Sequence, residues 1–484
     1  MIKNEIKKCL LCYDAPCSKL CGFDVARVIR ASYFDNDIYA SKLAQKIDCS
    51  NCKNDCEKAC INDVKIKDII KNIKLNNNDI NYDDVDLSTS ICGVKLKNPF
   101  LLSSSVVSSS YDMVKRAFDE GWAGAVYKTI SLVDIKESSP RFEALNDNSN
   151  SIYGFKNIEQ LSDVSFDENL EIFKKLKKNY SDHVLVVSIM AKDEKEWEYL
   201  AKRVGESGAD IIELNFSCPN MEEKEMGMEV GQNAELCGKY VKAAKRGTNV
   251  PILAKLTPNI TDMNDVAKAC IDAGADGIAT INTIKSITGI NYEDGKIRNM
   301  MIGGYSGKAV KPIALRFIAE LAKDERLKNI SISGIGGIET WKDALEFIML
   351  GSESVQVTTA VMLYGQRIIE DLITGLKIFM ALNGYKTIKD LIGAGLDSVV
   401  DSDKMDRSTI VYPTLIDNKC IGCYRCYVSC KDGGHQAISI DPNTKKVSFN
   451  YAKCVGCFLC GLVCPAFAIK QSKRVLNPRY IKIK

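Results

Sequence analysis

Sixteen of the twenty cysteines in this 484-residue chain fall into four tight groups: Cys9, Cys12, Cys17 and Cys21; Cys49, Cys52, Cys56 and Cys60; Cys420, Cys423, Cys426 and Cys430; Cys454, Cys457, Cys460 and Cys464. Thiols grouped in this way in a long chain point to metal or redox centres rather than to a disulfide frame. With two histidines in all, sulfur is the one abundant soft ligand. The groups sit at the two ends. The long middle holds only Cys92, Cys218, Cys237 and Cys270 and must fold on an apolar core. A composition of 46% hydrophobic and 26% charged residues supports such a core and excludes disordered, collagen-like and coiled-coil classes.

The net charge of +3 is too small to predict a nucleic-acid partner. No window approaches the roughly 18 apolar residues of a membrane span. The start, MIKNEIKKC, lacks the apolar core of a secretory signal. A cytoplasmic protein without membrane association is expected.

Three domains are expected: a helical Cys-rich head over 1–75, an α/β barrel over 86–400 and a small Cys-rich tail over 412–472. The polar run Asn76-Asn77-Asn78-Asp79 reads as a linker, and Asp401-Ser402-Asp403-Lys404 as a second seam. Between the seams, short β-branched runs alternate with amphipathic stretches, the pattern of repeated βα units. The expected strands are Pro99–Ser103, Gly124–Thr129, Val184–Met190, Asp210–Phe216, Pro251–Leu256, Gly277–Asn282, Ile330–Gly334 and Ser354–Thr358. Eight of them in series fit a (β/α)8 TIM barrel better than an open sheet. A Rossmann fold would carry Gly-x-Gly-x-x-Gly after its first strand, and none is present.

In the tail, the spacing C-x2-C-x2-C-x3-C at Cys420–Cys430 recurs at Cys454–Cys464, where Pro465 follows. Three thiolates on one tight turn hold three irons of a cubane, and the fourth ligand comes from the other repeat. Cys420, Cys423, Cys426 and Cys464 should therefore hold one [4Fe-4S] cluster, and Cys454, Cys457, Cys460 and Cys430 a second, in a ferredoxin-like domain. Structural zinc uses two separated pairs and has no need of the three-in-a-row spacing twice. In the head, eight thiols suffice for two more clusters. C-x2-C pairs at Cys9/Cys12 and Cys49/Cys52 leave zinc as an alternative there. Cys17/Cys21 and Cys56/Cys60, at helical i+4 spacing, place ligands on one side of a helix and argue against it.

Electron-carrying ends imply a redox centre in the middle. Ser333-Gly-Ile-Gly336-Gly337-Ile338 follows the seventh expected strand and Thr358-Thr359-Ala360 the eighth, the two loops from which barrel enzymes often build a phosphate site. Flavin mononucleotide (FMN) is the expected cofactor, with Ser103, Ser306 and Gly307 added to the contacts. Lys128 and Lys255 stand at the ends of the second and fifth strands. A Lys in an apolar strand is costly to bury unless it meets an anion, and reduced flavin carries negative charge near N1 and O2. Hydride delivery to one carbon of an activated double bond requires a proton for the next. Cys218, in the run Glu213-Leu-Asn215-Phe-Ser217-Cys218-Pro219-Asn220 past strand four, is the best placed acid, since His183 precedes strand three and His435 lies among the tail cysteines. Asn157, Asn215 and Asn282, with Glu159 and Thr283 beside them, offer the donors and acceptors that a planar imide such as uracil would pair with.

These motifs resemble a known family. The head spacing is similar to the N-terminal cluster domain of dihydropyrimidine dehydrogenases and of the glutamate synthase small subunit. The barrel with its N-x-S-C-P-N run resembles the flavin domain that dihydropyrimidine and dihydroorotate dehydrogenases share. The tail and Phe155-Lys-Asn157-Ile-Glu159 resemble the former specifically. The resemblance implies one head cluster on Cys9, Cys12, Cys17 and Cys60, and another on Cys21 and Cys56 with Cys49 and Cys52. The family pattern has a Gln as its eighth ligand, from which this chain departs. The resemblance also implies Cys218 as general acid, a pyrimidine held by Asn157, Glu159, Asn215, Asn282 and Thr283, and FMN contacted by Lys128 and Lys255. The activity implied is reduction of the 5,6 double bond of uracil or thymine. A separate FAD/NAD(P)H subunit or a ferredoxin would supply electrons within a homo- or hetero-oligomer, since the family's FAD- and NADPH-binding domains have no counterpart between head and barrel. Two rival expectations are a dihydroorotate dehydrogenase catalytic subunit and a non-catalytic iron–sulfur electron-transfer module.

Overall fold

The computed structural model describes residues 2–50, 52–75, 80–133, 135–146, 152–221, 226–290 and 302–481. The expected linker at Asn76–Asp79 lies outside the described residues.

Eight strands close a parallel barrel: β1 (Phe100–Leu102), β2 (Gly124–Ile130), β3 (Val184–Ile189), β4 (Ile211–Asn215), β5 (Ile252–Lys255), β6 (Gly277–Thr280), β7 (Ser331–Ile335) and β8 (Ser354–Val357). They neighbour one another in chain order, and β8 returns to β1 with Val355 opposite Phe100. The near-continuous apolar runs (VLVVSI in β3, FLL in β1) suit strands buried on both faces, and every residue of β1 to β6 is buried. Amphipathic helices cover the barrel. Helix Glu194–Glu206 buries Trp197, Leu200, Ala201 and Val204, spaced on one face, and Asp193 caps it by accepting from the Glu196 N–H at 3.0 Å. A hairpin, Thr89–Ile91 with Val94–Leu96, packs Ile91 and Leu96 into the cluster that includes Leu101, Val126 and Leu253.

A second sheet was not anticipated. Four antiparallel strands, in the order Ile284–Ser286, Gly303–Ser306, Ile152–Asn157 and Phe142–Asn146, carry residues that line the cavity described below. Asn157 opposes Gly304, and Phe155 opposes Ser306.

The chain divides into two compact units, Met1–Ser398 and Val399–Lys484. The head belongs to the first. Its helices Val25–Tyr33, Asp37–Ala44 and Ile66–Lys74 bury Val28, Ile29, Ile69, Ile70 and Ile73, and Ile378 of the barrel helix Ile368–Leu382 joins their core. Two arginines lock the seam. Arg30 donates to Asp371 at 2.7 Å, Arg27 to Glu370 at 2.8 Å, and Tyr39 to Glu370. Tyr364 packs edge-on against Tyr33 and Phe34. The tail unit is small. Its compact core is Cys426, Ile438, Val447, Cys460 and Ile469, beneath helix Arg425–Gly433 and the hairpin of Ile438–Ile440 with Val447–Phe449. Among the described residues no helix is long and apolar enough to cross a membrane.

Candidate functional site

An open cavity of about 1080 Å³ lies at the C-terminal ends of the barrel strands, the face where barrel enzymes place their chemistry. All fifteen residues expected around flavin and substrate line it: Ser103, Lys128, Asn157, Glu159, Asn215, Cys218, Lys255, Asn282, Thr283, Ser306, Gly307, Gly336, Gly337, Thr358 and Thr359. Of the four scattered cysteines, Cys218 alone reaches it.

One end of the cavity is polar backbone and hydroxyl. Ser306 and Thr359 hydroxyls meet at 3.0 Å, and Ser105 and Thr358 at 3.3 Å. Gly337 adopts φ +74, and a Cβ there would stand 2.8 Å from the Gly307 carbonyl oxygen. Only glycine lets the turn close on that side. Burial pushes the nearby Glu339 carboxyl up to about 7, with Lys308 and Lys311 opposing the shift, which lowers the negative charge an incoming phosphate would meet.

The barrel floor is ionic. Lys255, at the end of β5, sits 3.3 Å from Glu213 of β4 and 3.5 Å from the Ser103 hydroxyl. Gln356 of β8 donates to the Ser333 hydroxyl at 3.1 Å, while its Oε1 is buried without a partner, an acceptor available to a ligand N–H. Such an orphaned acceptor, a paired lysine and a glycine turn fit a flavin nucleotide.

The opposite wall is carboxamide and thiol. Asn215 Nδ2 donates to Thr129 Oγ1 at 2.9 Å, and Thr129 meets Ser188 at 2.9 Å. Asn215 Oδ1 accepts from the Ser217 hydroxyl at 2.8 Å, and Asn282 donates to that same hydroxyl at 2.7 Å. Two of the expected amides are thus braced against each other through Ser217. Lys128 is bound to Glu159, which also accepts from Arg141 at 2.9 Å. Asn220 donates to the Glu159 carbonyl at 3.2 Å and keeps a buried, unpartnered Oδ1 on the cavity wall. Cys218 is 6% exposed and packs with Leu161, Met190 and Met226. That burial pushes its thiol up to about 11, so it holds its proton at neutral pH. Gly227 lets the backbone pass close to Cys218: a Cβ there would stand 2.4 Å from the Cys218 carbonyl oxygen.

The cysteine groups gather into separate cavities. One of about 400 Å³ is lined by Cys420, Cys423, Cys426 and Cys464; one of about 390 Å³ by Cys430, Cys454, Cys457 and Cys460; one of about 410 Å³ by Cys9, Cys12, Cys17 and Cys60. In the head's second group, burial raises the Cys49 and Cys56 thiols, and neighbouring Cys21 and Cys52 raise both further. Among the described residues no group of three or more His, Cys, Asp or Glu closes tightly enough to hold a single metal ion. Thiols ringing a cavity rather than a point suit a cubane better than zinc, with its Zn–S distance of about 2.3 Å.

Sequence reasoning missed Glu213, Gln356, Arg141 and Asn220. Glu213 and Gln356 interrupt apolar strands as Lys255 does, so the same argument would have found them. Arg141 and Asn220 carry no such mark.

Fold and site together define a flavin-dependent barrel oxidoreductase wired to iron–sulfur clusters. Comparison with known proteins makes this specific. The chain belongs to the dihydroorotate dehydrogenase family, which it matches over residues 86–380, and residues 414–470 match the 4Fe-4S dicluster domain. FMN and two C-terminal [4Fe-4S] clusters are therefore its cofactors. It is 50% identical, over 80% of this chain and 95% of the relative, to the NAD-dependent dihydropyrimidine dehydrogenase subunit PreA of Escherichia coli. It is 41% identical, over 64% of this chain and 77% of the relative, to the chloroplastic dihydropyrimidine dehydrogenase (NADP(+)) of Arabidopsis thaliana. To the dihydroorotate dehydrogenase B (NAD(+)) catalytic subunit of Pyrococcus abyssi it is 39% identical, over 64% of this chain and 99% of the relative. The crystal structure of a dihydroorotate dehydrogenase from Eimeria tenella shares the barrel fold, with a TM-score of 0.53 at 21% identity over 65% of this chain and 90% of that one.

Proposed function

We propose that this chain is the catalytic subunit of a dihydropyrimidine dehydrogenase, which reduces the 5,6 double bond of uracil or thymine. One observation carries the reading: a buried, protonated thiol, Cys218, shares a cavity with a neutral array of carboxamides. When bound, FMN supplies hydride to C6 of the pyrimidine. Cys218 then gives its proton to C5, so that two electrons and two protons enter in all. Asn157, Asn282, Thr283 and the open Oδ1 of Asn220 hold the imide edge, and Asn215 keeps the Ser217–Cys218 loop in place. Lys255, Ser103 and Gln356 hold the isoalloxazine, and Ser306, Gly307, Gly336, Gly337, Thr358 and Thr359 the phosphate. Lys128, expected at the flavin, is engaged by Glu159, so it serves the substrate wall as well.

Bound between the grouped cysteines, [4Fe-4S] clusters would supply single-electron transfer from a separate FAD/NAD(P)H subunit or a ferredoxin. Cys9, Cys12, Cys17 and Cys60 bind one head cluster, and Cys21, Cys49, Cys52 and Cys56 the other. Dihydroorotate, the substrate named for the Pyrococcus relative, would bring a carboxylate. Both lysines on the cavity wall already face carboxylates, Lys128 facing Glu159 and Lys255 facing Glu213, which favours a neutral base. Anaerobic protein reduced with dithionite should convert uracil and thymine to their dihydro forms and leave orotate unchanged. Conversion of orotate alone would overturn the reading.

A further inference from the structure

The charge of this chain is unevenly distributed. Residues 399–484 hold fourteen Lys and Arg against six Asp and no Glu, a net +8, in a chain whose total is +3. The first unit, 398 residues long, is therefore net −5. Around the Cys420 turn the cations are all exposed: Lys419, Arg425, Lys445 and Lys446. Two acids stand among them: Asp417 meets Lys446 at 3.4 Å, and Asp441 closes the turn that carries Lys445 and Lys446, so the cations still outnumber the acids on this face.

The same face opens onto the cluster ligands. Cys420 and Cys423 are exposed, whereas Cys426 behind them is buried. Beside them Ile421 is 68% and Phe467 78% exposed, apolar side chains left bare over a redox centre. A cationic rim around a small apolar contact is the pattern of a short-lived electron-transfer complex, in which charge steers the encounter and little area is buried.

We propose that the Cys420–Cys423 face of the tail docks an acidic protein electron carrier. This inference rests on the reading of the clusters as electron conduits. A second copy of this chain is the weaker occupant, because its −5 is spread over 398 residues and offers a far thinner field than a small acidic carrier. On each docking the carrier loses one electron and a tail cluster gains it. Two such events, with two protons from water, supply one double-bond reduction.

The test uses the full, reconstituted chain and an acidic two-cluster ferredoxin as probe. Binding of the oxidised ferredoxin, read by calorimetry, should weaken about tenfold or more as salt is raised from low to physiological strength. The double substitution Lys419→Glu and Lys446→Glu should weaken it by a similar factor, and Lys419→Gln with Lys446→Gln by less. The brown absorption and the far-UV circular dichroism should stay as in the unsubstituted protein, which shows that the variants fold. Binding indifferent to salt and to both variants would overturn the proposal. So would a variant that loses self-association instead of ferredoxin affinity. Failure of dithionite-reduced protein to convert uracil would instead count against the proposed function, because the binding measurement does not depend on substrate.

Discussion

The flavin cavity and the cysteine-lined cavities of the tail are prepared for their occupants in opposite ways. In the barrel, the polar groups on the wall are largely paired before anything binds: Lys255 with Glu213, Lys128 with Glu159 and Arg141, Asn215 and Asn282 through Ser217. In the tail, two of the five residues of the compact core, Cys426 and Cys460, are themselves expected ligands. A barrel with a large core of its own can hold an active site ready. A unit whose main core cluster is Cys426, Ile438, Val447, Cys460 and Ile469 has little apolar surface to fold on without help, and its clusters must double as its core. The head lies between these extremes, since it borrows Ile378 and the Arg30–Asp371 pair from the barrel.

The largest effect should come from removing what the tail lacks by itself. Stripping the clusters with chelator and oxidant, or replacing Cys426 or Cys460 with Ser, should unfold the tail outright, because binding energy at such a site is folding energy. Limited proteolysis would then degrade the chain beyond about residue 399 while the flavin absorption of the barrel persists. Removing FMN should leave the barrel folded, with only the stabilisation due to ligand binding lost. A tail that stays protease-resistant without clusters would break the contrast.

Next in size is Cys218→Ala. It removes one group from a cavity whose other contacts stand, so the flavin spectrum should not change. Reduction of uracil should slow by about 10²–10⁴-fold, the range for loss of a positioned acid. The thiol's pKa sets the pH behaviour. With Cys218 pushed up to about 11 by burial, the protonated form needed for reduction is present throughout the neutral and mildly alkaline range. The reverse reaction needs the thiolate, which grows about tenfold per pH unit below that value. Oxidation of dihydrouracil should therefore rise steadily from pH 7 to 10 while reduction stays flat in its dependence on this group. A flat profile in both directions, read by stopped-flow, would remove Cys218 from the proton path.

How legible each region was follows from how local its chemistry is. The tail repeats one spacing twice, and that spacing carries its own rule for exchanging the fourth ligand, so its two sets could be read directly, whereas the head's unequal spacings carry no such rule and its pairing came only through family resemblance. The eight strands announced themselves as buried apolar runs. The four-stranded antiparallel sheet did not: its strands are short, partly exposed and interrupted by Gly154, where a Cβ would collide with Tyr305 from another strand. That contact exists only once the chain has folded. The amide array was visible as residue types but not as a network. Nothing in the spacing of Asn215 and Asn282 shows that Ser217 ties them together, or that Arg141 reaches the carboxylate of Glu159.

The smallest effect tests whether that pre-paired wall selects the substrate. Glu159 holds Lys128 and Arg141 at once, and its side chain is only 10% exposed. Its negative charge neutralises the two cations to which an anionic substituent on a pyrimidine would be drawn. Glu159→Gln keeps the shape and hydrogen-bonding capacity but frees the two cations. Affinity for orotate, measured by perturbation of the flavin spectrum, should rise by about tenfold, and KM for uracil should rise by a similar factor with kcat changed less, since discrimination against a charge is a difference between two opposing terms. Arg141→Gln should weaken uracil binding without admitting orotate, because Glu159 and its charge remain. If both variants treat orotate as the unsubstituted protein does, the carboxylate serves only to brace the wall, and selection against the anion must lie in the amides instead.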